Sequence, residues 1–347
     1  MPKPNLKSNN LKKKYSIFIL NIIFSLIFLT CISTKNIDDK LELKFLEQEI
    51  QPLNQIIKTD TQIQNLEKIM NIKKENNKLP IAVFHGIGDA CDGSMLFWTN
   101  YFGEISSVYS RCIESGANIK SELNSIINQG EAACKIIKSD PNFQNDFIIV
   151  GFSQGGLIGR YILEKCNIKG TVRKLITLGT PHMGISRIPK CPKSIQFICD
   201  LGEDIGQYII FTPGSYMIYS PLAYFRTPSI ENLYRRFNYF LADLNNESYN
   251  NSNKEANKSK FLKLDKLVLI NFSEDDMVYP KESAWFRKYN SKWEVETLEK
   301  SEFYTKDYLG IRKLNEENKI EFHTFEGTHM KLTKQNIDAY VIPAILN

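Results

Sequence analysis

The sequence predicts an α/β fold, with a mostly parallel central sheet that carries helices on both faces. Short, uninterrupted apolar runs fit strands buried on both sides, and such runs recur at residues 81–84, 147–150, 175–178, 267–272 and, more weakly, 320–325. Between the first two runs, apolar side chains from Ile119 to Ile137 recur at helical spacing and stop at Asp140-Pro141. Strands that alternate with helices are typical of a doubly wound sheet.

The amino-terminal residues are expected to lie outside this domain. Residues 1–33 combine five lysines, an apolar run over residues 15–29 and modest side chains around Cys31, which is the pattern of a cleaved signal peptide. An uncleaved membrane anchor is the alternative, because the apolar run is only slightly shorter than a bilayer span. Residues 34–78 read as a charged helical extension of unknown role, and the α/β domain is predicted for residues 79–347.

Cleavage of the signal peptide would change both the charge and the cysteine count. It removes five lysines and no acidic residue from a chain of net charge +5, so the mature chain is formally neutral and gives no indication of a nucleic-acid partner. Loss of Cys31 leaves an even number of the seven cysteines, which indicates disulfides in an oxidising compartment. Four glycosylation sequons also fit secretion, and the first three lie in a stretch expected to be exposed: Asn246, Asn250, Asn257 and Asn271.

A stretch from residue 185 to 244 interrupts the alternation of strands and helices. It is rich in aromatic and aliphatic side chains together with Pro and Gly, as at residues 208–211 and 216–219. We predict an apolar lid inserted over the sheet, with ordinary hydrophobic core as the alternative role for any single residue. The polar segment that follows, residues 245–260, is predicted to be a solvated loop.

The sharpest motif is Gly-Phe-Ser-Gln-Gly-Gly at residues 151–156. It follows a predicted strand and opens a helical pattern, and a strand-to-helix turn of this kind needs glycines around an exposed nucleophile. The context predicts Ser153 as the nucleophile of an α/β-hydrolase fold. A glycine-rich turn that a serine merely caps is the alternative.

An oxyanion hole in this fold uses two backbone N–H groups near the nucleophile. Gln154 supplies the first because it directly follows Ser153. The first predicted strand ends in His-Gly-Ile-Gly-Asp at residues 85–89, whose glycines let the backbone approach a substrate. The N–H of Ile87 is therefore the second candidate, and an ordinary turn is the alternative.

A serine nucleophile needs a base, and the chain contains four histidines. In this fold the acid and then the base follow the nucleophile along the chain. His329 follows the last predicted strand and is the candidate base, with His182, just past an earlier strand, as the alternative. The acid is expected after the preceding strand, where spacing favours Asp275 slightly over Asp276 and Glu274 least.

Taken in order, these motifs resemble those of the lysosomal palmitoyl-protein thioesterases. The resemblance runs from about residue 79 to the carboxyl terminus. Besides the motifs at 85–89 and 151–156, it rests on Asp-Asp-Met-Val-Tyr-Pro-Lys-Glu-Ser-Ala-Trp-Phe at 275–286 and Glu-Gly-Thr-His-Met-Lys-Leu at 326–332. It implies Asp275 as the acid, His329 as the base, and oxyanion positions at Ile87 and Gln154.

The resemblance also bears on the cysteines. It implies two disulfides, Cys134–Cys166 and Cys191–Cys199. The family has two adjacent cysteines where this sequence has Cys91 followed by Asp92, so a bond between Cys91 and Cys112 is a hypothesis only. His182 falls in a stretch where the resemblance implies a structural role near the site.

The activity implied by the resemblance is hydrolysis of palmitoyl and other long-chain acyl thioesters on protein cysteines through an acyl-enzyme. The substrates would be S-acylated proteins or peptides and fatty acyl thioesters, in the lysosome or outside the cell, with no cofactor, no metal and no stable membrane insertion. A secreted lipase or carboxylesterase acting on oxygen esters is the alternative, since it shares every catalytic feature. A lipid-binding pseudo-hydrolase is less favoured, because Ser153 and His329 are both present.

Overall fold

A parallel sheet of six strands dominates the computed structural model, which describes residues 78–117, 119–188 and 219–347. The strands are β1 (Ile81–Phe84), β2 (Ser110–Cys112), β3 (Phe147–Phe152), β4 (Val172–Leu178), β5 (Lys266–Phe272) and β6 (Ile320–Phe325). They lie in the order β2-β1-β3-β4-β5-β6, and every neighbouring pair is parallel. The α/β sheet expected from the sequence is therefore confirmed.

Several predicted regions lie outside the described residues. These are the signal peptide at 1–33, the extension at 34–78 except for its last residue, and the part of the lid at 189–218. Among the described residues, no helix is both long and apolar enough to cross a bilayer.

The sequence predicted fewer of the helices than of the strands in the described region. They are α1 (Gly93–Ser106), α2 (Ile119–Leu123), α3 (Ile126–Ser139), α4 (Gln154–Lys165), α5 (Glu231–Phe237), α6 (Leu241–Leu244), α7 (Lys254–Phe261), α8 (Glu302–Thr305), α9 (Ile311–Glu316), α10 (Lys334–Asn336) and α11 (Ile342–Leu346). The single apolar stripe between β1 and β3 is divided into α2 and α3, because the Ser125 hydroxyl accepts a hydrogen bond from the Ile127 amide and starts a new helix there.

Two apolar layers pack on the two faces of the sheet. On one face Phe84 and Ile149 pack with Ile158 of α4 and neighbouring side chains of α3. On the other face Val83 packs with Phe102 of α1 and with apolar residues of α11. Successive strand residues point to opposite faces, so both faces must be covered, and the strands consequently appear as continuous apolar runs in the sequence.

The edges of the sheet explain which strands the sequence located poorly. Strand β2 is short and polar at one edge, where Ser110 and Cys112 are half-buried and Arg111 is exposed, and it was not predicted. Strand β6 lies at the other edge, and only its last residue, Phe325, is buried. An edge strand needs apolar side chains only where it meets a covering layer.

The prediction that residues 245–260 form a solvated loop is wrong. Asn245, Asn246 and Glu247 are buried, and the second half of the segment forms α7. Burial is tolerated because each polar group is bonded. Arg160 donates to the Asn245 side-chain oxygen at 2.8 Å, and Arg226 pairs with Glu247 at 2.8 Å.

The same burial corrects the exposure that was expected for the first three sequons. Asn246 donates to the carbonyl oxygens of Lys254 and Tyr308, and Asn257 and Asn271 are also buried. Asn250 alone among the four is exposed in the folded domain.

Candidate active site

Ser153 lies on a strained turn between β3 and α4. Its backbone angles are φ 51° and ψ −125°, a conformation that L-residues rarely adopt outside functional sites. The flanking glycines make the turn possible: a Cβ on Gly151 would lie 2.4 Å from the Cα of Gly156, and a Cβ on Gly155 would lie 2.4 Å from the carbonyl oxygens of Phe84 and His85. The glycine pattern of the motif therefore follows from the backbone packing.

Hydrogen bonds connect Ser153, His329 and Asp275 in a line. The Ser153 Oγ lies 2.9 Å from Nε2 of His329, and Nδ1 of that ring lies 2.8 Å from Oδ2 of Asp275. A carboxylate only accepts hydrogen bonds, so Nδ1 carries the proton and Nε2 is left to accept the serine hydroxyl. The other oxygen of Asp275 accepts the amides of Met277 and Val278 at 2.9 and 2.8 Å, which fixes the carboxylate.

The alternatives that the sequence left open lie elsewhere. His182 is fully buried, stacks on Phe286 with ring centroids 4.4 Å apart, and contacts the Thr177 hydroxyl through Nε2 at 2.9 Å. Burial, with a contribution from the Arg160 charge, holds the pKa of His182 well below its usual range. Asp276 and Glu274 are exposed, and Asp276 contacts only the backbone amide of His329 among the described residues.

The two candidate oxyanion residues flank Ser153. Gln154 is the first residue of α4, so its amide has no acceptor within the helix. Ile87 lies in the loop after β1, which approaches Ser153 so closely that a Cβ on Gly86 would lie 3.3 Å from the Ser153 Cβ. The structure therefore brings both residues beside Ser153.

Two cavities in the described region meet at Ser153, and Ile87 and Met277 line both of them. The first, of about 160 Å³, is named here the roof cavity; its other wall residues are Glu122, Pro181, Ile185, Tyr219, Pro221, Tyr224 and Val278. The second, of about 310 Å³, is named the histidine cavity because His329 is in its wall, together with Gly86, Asp89, Ser94, Met95, Trp98, Phe152, Met330 and Leu332. The two cavities therefore extend from Ser153 in two directions.

The side chain of Gln154 forms a buried polar junction that the sequence analysis missed. Its Nε2 donates to the Ser121 carbonyl and to Gln129 Oε1, both at 3.2 Å. Its Oε1 accepts from the hydroxyls of Ser220 at 2.8 Å and Tyr224 at 3.0 Å. Residues 219–225, named here the roof segment, are thereby hydrogen-bonded to the residue that follows Ser153.

Disulfides connect the helices and loops around this site. Cys134 of α3 is bonded to Cys166 at the end of α4, the pairing that the resemblance implied, and Cys91 is bonded to Cys112, the pairing that was only a hypothesis. The predicted Cys191–Cys199 pair lies outside the described residues.

One group of potential metal ligands occurs in the described region, namely His85, Cys91 and Glu114. The Cys91 sulfur is already in a disulfide, so it cannot offer the thiolate that a metal would bind. The arrangement therefore does not fit a metal site.

The order of these features along the sheet defines a class of protein. A serine follows β3 on a strained turn, an aspartate follows β5 and a histidine follows β6, which is the arrangement of the α/β-hydrolase fold. Residues 80–329 match the family model described as palmitoyl protein thioesterase. The chain belongs to the palmitoyl protein thioesterase family, which confirms the resemblance seen in the sequence.

Curated relatives extend over most of the domain. The chain is 29% identical over 276 residues to palmitoyl-protein thioesterase 1 of Caenorhabditis elegans, covering 76% of this chain and 90% of that protein. It is 28% identical over 261 residues to palmitoyl-protein thioesterase 3 of Dictyostelium discoideum, covering 72% and 84%. It is also 31% identical over 181 residues to lysosomal thioesterase PPT2-B of Xenopus laevis, covering 52% and 60%. These matches identify the chain as a hydrolase.

Proposed function

We propose that this protein hydrolyses long-chain fatty acyl thioesters on the cysteines of S-acylated proteins, with Ser153 as the nucleophile. The observation that carries the proposal is the hydrogen-bonded line from Ser153 through His329 to Asp275 in a chain of this family. The relatives are named thioesterases, which supports a thioester substrate, and the hydrogen bonds among the three residues support nucleophilic attack by Ser153.

The reaction follows from the roles of these groups. His329 Nε2 takes the Ser153 proton as the oxygen attacks the acyl carbonyl carbon, and the carbonyl oxygen becomes an anion facing the amides of Ile87 and Gln154. Asp275 stabilises the imidazolium that forms. The carbon–sulfur bond then breaks, and His329 returns its proton to the departing thiolate.

The second half of the cycle releases the acid. Water, deprotonated by His329, attacks the ester on Ser153, and the acyl-enzyme collapses to a fatty acid and the free serine. An ordinary cysteine thiol has a pKa of about 8.5, so it leaves with little help from an acid. The same three residues would also cleave an oxygen ester, and preference must therefore come from the cavities.

The position of His329 orients the substrate between the two cavities. Because this ring protonates the leaving sulfur, the cysteine and its peptide extend into the histidine cavity, and the acyl chain enters the roof cavity. Tyr219, Pro221 and Val278 give the roof cavity apolar walls. Each buried CH₂ contributes about 0.8 kcal/mol, so such walls favour longer chains.

The proposed compartment is the lysosome or the cell exterior, reached through the secretory pathway. Two disulfides in the described region support an oxidising compartment, and one relative is named a lysosomal thioesterase. Co-fractionation of the tagged full-length chain with a lysosomal marker tests this location, and recovery with cytosolic markers would contradict it.

The decisive experiment compares matched palmitoyl thioester and palmitoyl oxygen-ester substrates. We expect hydrolysis of the thioester by the wild-type chain, little hydrolysis of the ester, and no turnover by Ser153→Ala. The exposed Ser139, at the end of α3, provides a matched control, and Ser139→Ala should behave as wild type. A preference for the ester would assign the protein to the lipases, and activity on neither substrate would indicate a lipid-binding role.

A further inference from the structure

The loop that connects β1 to α1 carries Ile87 and is named here the oxyanion loop, residues 85–91. A backbone amide stabilises an oxyanion only if it is held within a few tenths of an ångström of its position. Ile87 is half-buried and lies between two cavities, so its own side chain has cavity space on either side. The groups that fix this amide must therefore bind the loop on either side of it.

Glu114, in the segment after β2, binds both ends of the oxyanion loop. Its Oε1 lies 3.1 Å from Nε2 of His85, and its Oε2 accepts the amide of Cys91 at 2.9 Å. Oε1 also accepts the amide of Gly116 at 3.0 Å, which orients the carboxylate from its own segment. One carboxylate thus closes the loop at its first and last residues.

The His85 ring strengthens this connection. Its Nδ1 lies 2.9 Å from the Gly86 carbonyl oxygen, so the ring contacts both Glu114 and the backbone of the residue before Ile87. Partial burial raises the pKa of Glu114, but the Cys91 amide and the His85 ring, with the Gly116 amide, outweigh it and lower that pKa. The carboxylate therefore stays charged, and charge-assisted hydrogen bonds are the stronger kind.

Two further bonds anchor the loop to the same region. The Gly88 amide, next to Ile87, donates to the Ser121 hydroxyl at 2.7 Å. The Cys91–Cys112 disulfide covalently joins the end of the loop to β2, two residues before Glu114. Ile87 therefore lies between fixed points at His85 and Gly88.

We propose that Glu114 is a positioning residue for the reaction, which acts through His85 and the Cys91 amide to hold the Ile87 amide at the oxyanion. This proposal rests on the proposed function, since it presumes that Ile87 donates to the oxyanion. Glu114 touches neither the substrate nor the reacting atoms in this role. Its removal should consequently weaken binding of the transition state more than binding of the substrate.

The test compares Glu114→Ala and Glu114→Gln with a matched control in the full-length chain. Glu317→Ala is that control, because the Glu317 side chain is 39% exposed against 40% for Glu114, and its carboxylate also contacts one basic side chain, that of Lys319. Turnover of a palmitoyl thioester is measured per active site, counted by complete titration of Ser153 with a covalent phosphonate. This count separates slower turnover from a smaller folded fraction.

We expect Glu114→Ala to lower kcat by roughly tenfold to a hundredfold, with KM changed by less than about threefold, as for a displaced oxyanion donor. Glu114→Gln keeps one acceptor oxygen, so it should lose less kcat, and Glu317→Ala should lose none. An unchanged kcat per site in both Glu114 variants would overturn the proposal. It would also be overturned if KM rose by the same factor as kcat fell. If the wild-type chain did not hydrolyse the thioester, or if Ser153→Ala still hydrolysed it, the proposed function itself would fail.

Discussion

Asp275→Asn should abolish most of the activity while leaving the fold intact. One Asp275 oxygen accepts the amides of Met277 and Val278, and the other accepts the Nδ1 proton of His329. An asparagine side chain has only one oxygen, and two amide donors hold that oxygen on their side. Its NH₂ group then faces His329 Nδ1, which must become an acceptor.

The magnitude follows from the tautomer that this substitution selects. With Nδ1 accepting, the proton moves to Nε2, where it faces the Ser153 hydroxyl at 2.9 Å and cannot receive the serine proton. A wrong tautomer of this kind lowers kcat by about 10⁴-fold, which corresponds to about 5 kcal/mol of transition-state stabilisation. Stability should change little, because the two side chains have nearly the same volume and the two amide bonds remain.

The assay is single-turnover and steady-state hydrolysis of a palmitoyl thioester, with thermal unfolding measured in parallel. Asp276→Asn is the matched control: among the residues that the structure describes, its exposed carboxylate accepts only the His329 backbone amide, at 3.3 Å, and an asparagine oxygen can replace it. That variant should stay within about twofold of wild type. The reasoning is refuted if Asp275→Asn retains more than about a tenth of the wild-type kcat, or if Asp276→Asn loses as much.

Three further predictions concern stability. Replacing both Cys91 and Cys112 by serine removes a disulfide between residues that are 21 positions apart, and should lower the free energy of unfolding by about 3 kcal/mol. Urea titration measures this change, and an unchanged unfolding midpoint would contradict the prediction. Gly155→Ala places a Cβ 2.4 Å from backbone carbonyls, so we expect loss of about 1–3 kcal/mol or of soluble protein, and a wild-type melting temperature would refute the packing argument. Burial raises the pKa of Glu164 from 4.5 to about 7, so between these pH values the native state binds more protons than the unfolded chain, and the free energy of unfolding should fall as pH rises. Glu164→Gln should flatten this pH dependence, and a Glu164→Gln profile parallel to that of the wild type would refute the assignment.

The central strands and the line of the three site residues could be predicted because short-range patterns encode them. A parallel strand covered on both faces is mostly apolar, and a strained strand-to-helix turn at a serine requires glycines two residues before and after it. Both requirements leave local marks in the sequence, as at β3 and at Gly155. Strand β2, at the edge of the sheet, leaves no such mark because its side chains face no complete covering layer.

The polar contacts could not be predicted because their partners are distant in sequence. Residues 245–260 are polar in composition and were taken for a surface loop, but Arg160, 85 residues before Asn245, lies in the core and needs polar partners there. The roles of Glu114 and of the Gln154 side chain were missed for the same reason. Nothing in the adjacent sequence indicates that the Glu114 carboxylate bridges two loop residues or that the Gln154 amide is buried. Sequence spacing also favoured Asp275 over Asp276 only slightly. The structure distinguishes them, because the Asp275 carboxylate contacts the His329 ring whereas the Asp276 carboxylate contacts only the backbone amide of that residue among the described residues.

The Gln154 junction bears on how the proposed acyl substrate would fit into the roof cavity. Displacing the roof segment would leave the buried Gln154 oxygen without its two hydroxyl donors, at a cost of about 1–3 kcal/mol for each unsatisfied group. These bonds favour the observed position of the roof segment, so under the proposed function an acyl chain would enter the roof cavity end first. The length of this cavity would then set the preferred length of the acyl chain. We expect substitutions of wall residues such as Tyr219 to alter that preference, whereas substitutions of Gln154 would disrupt the junction.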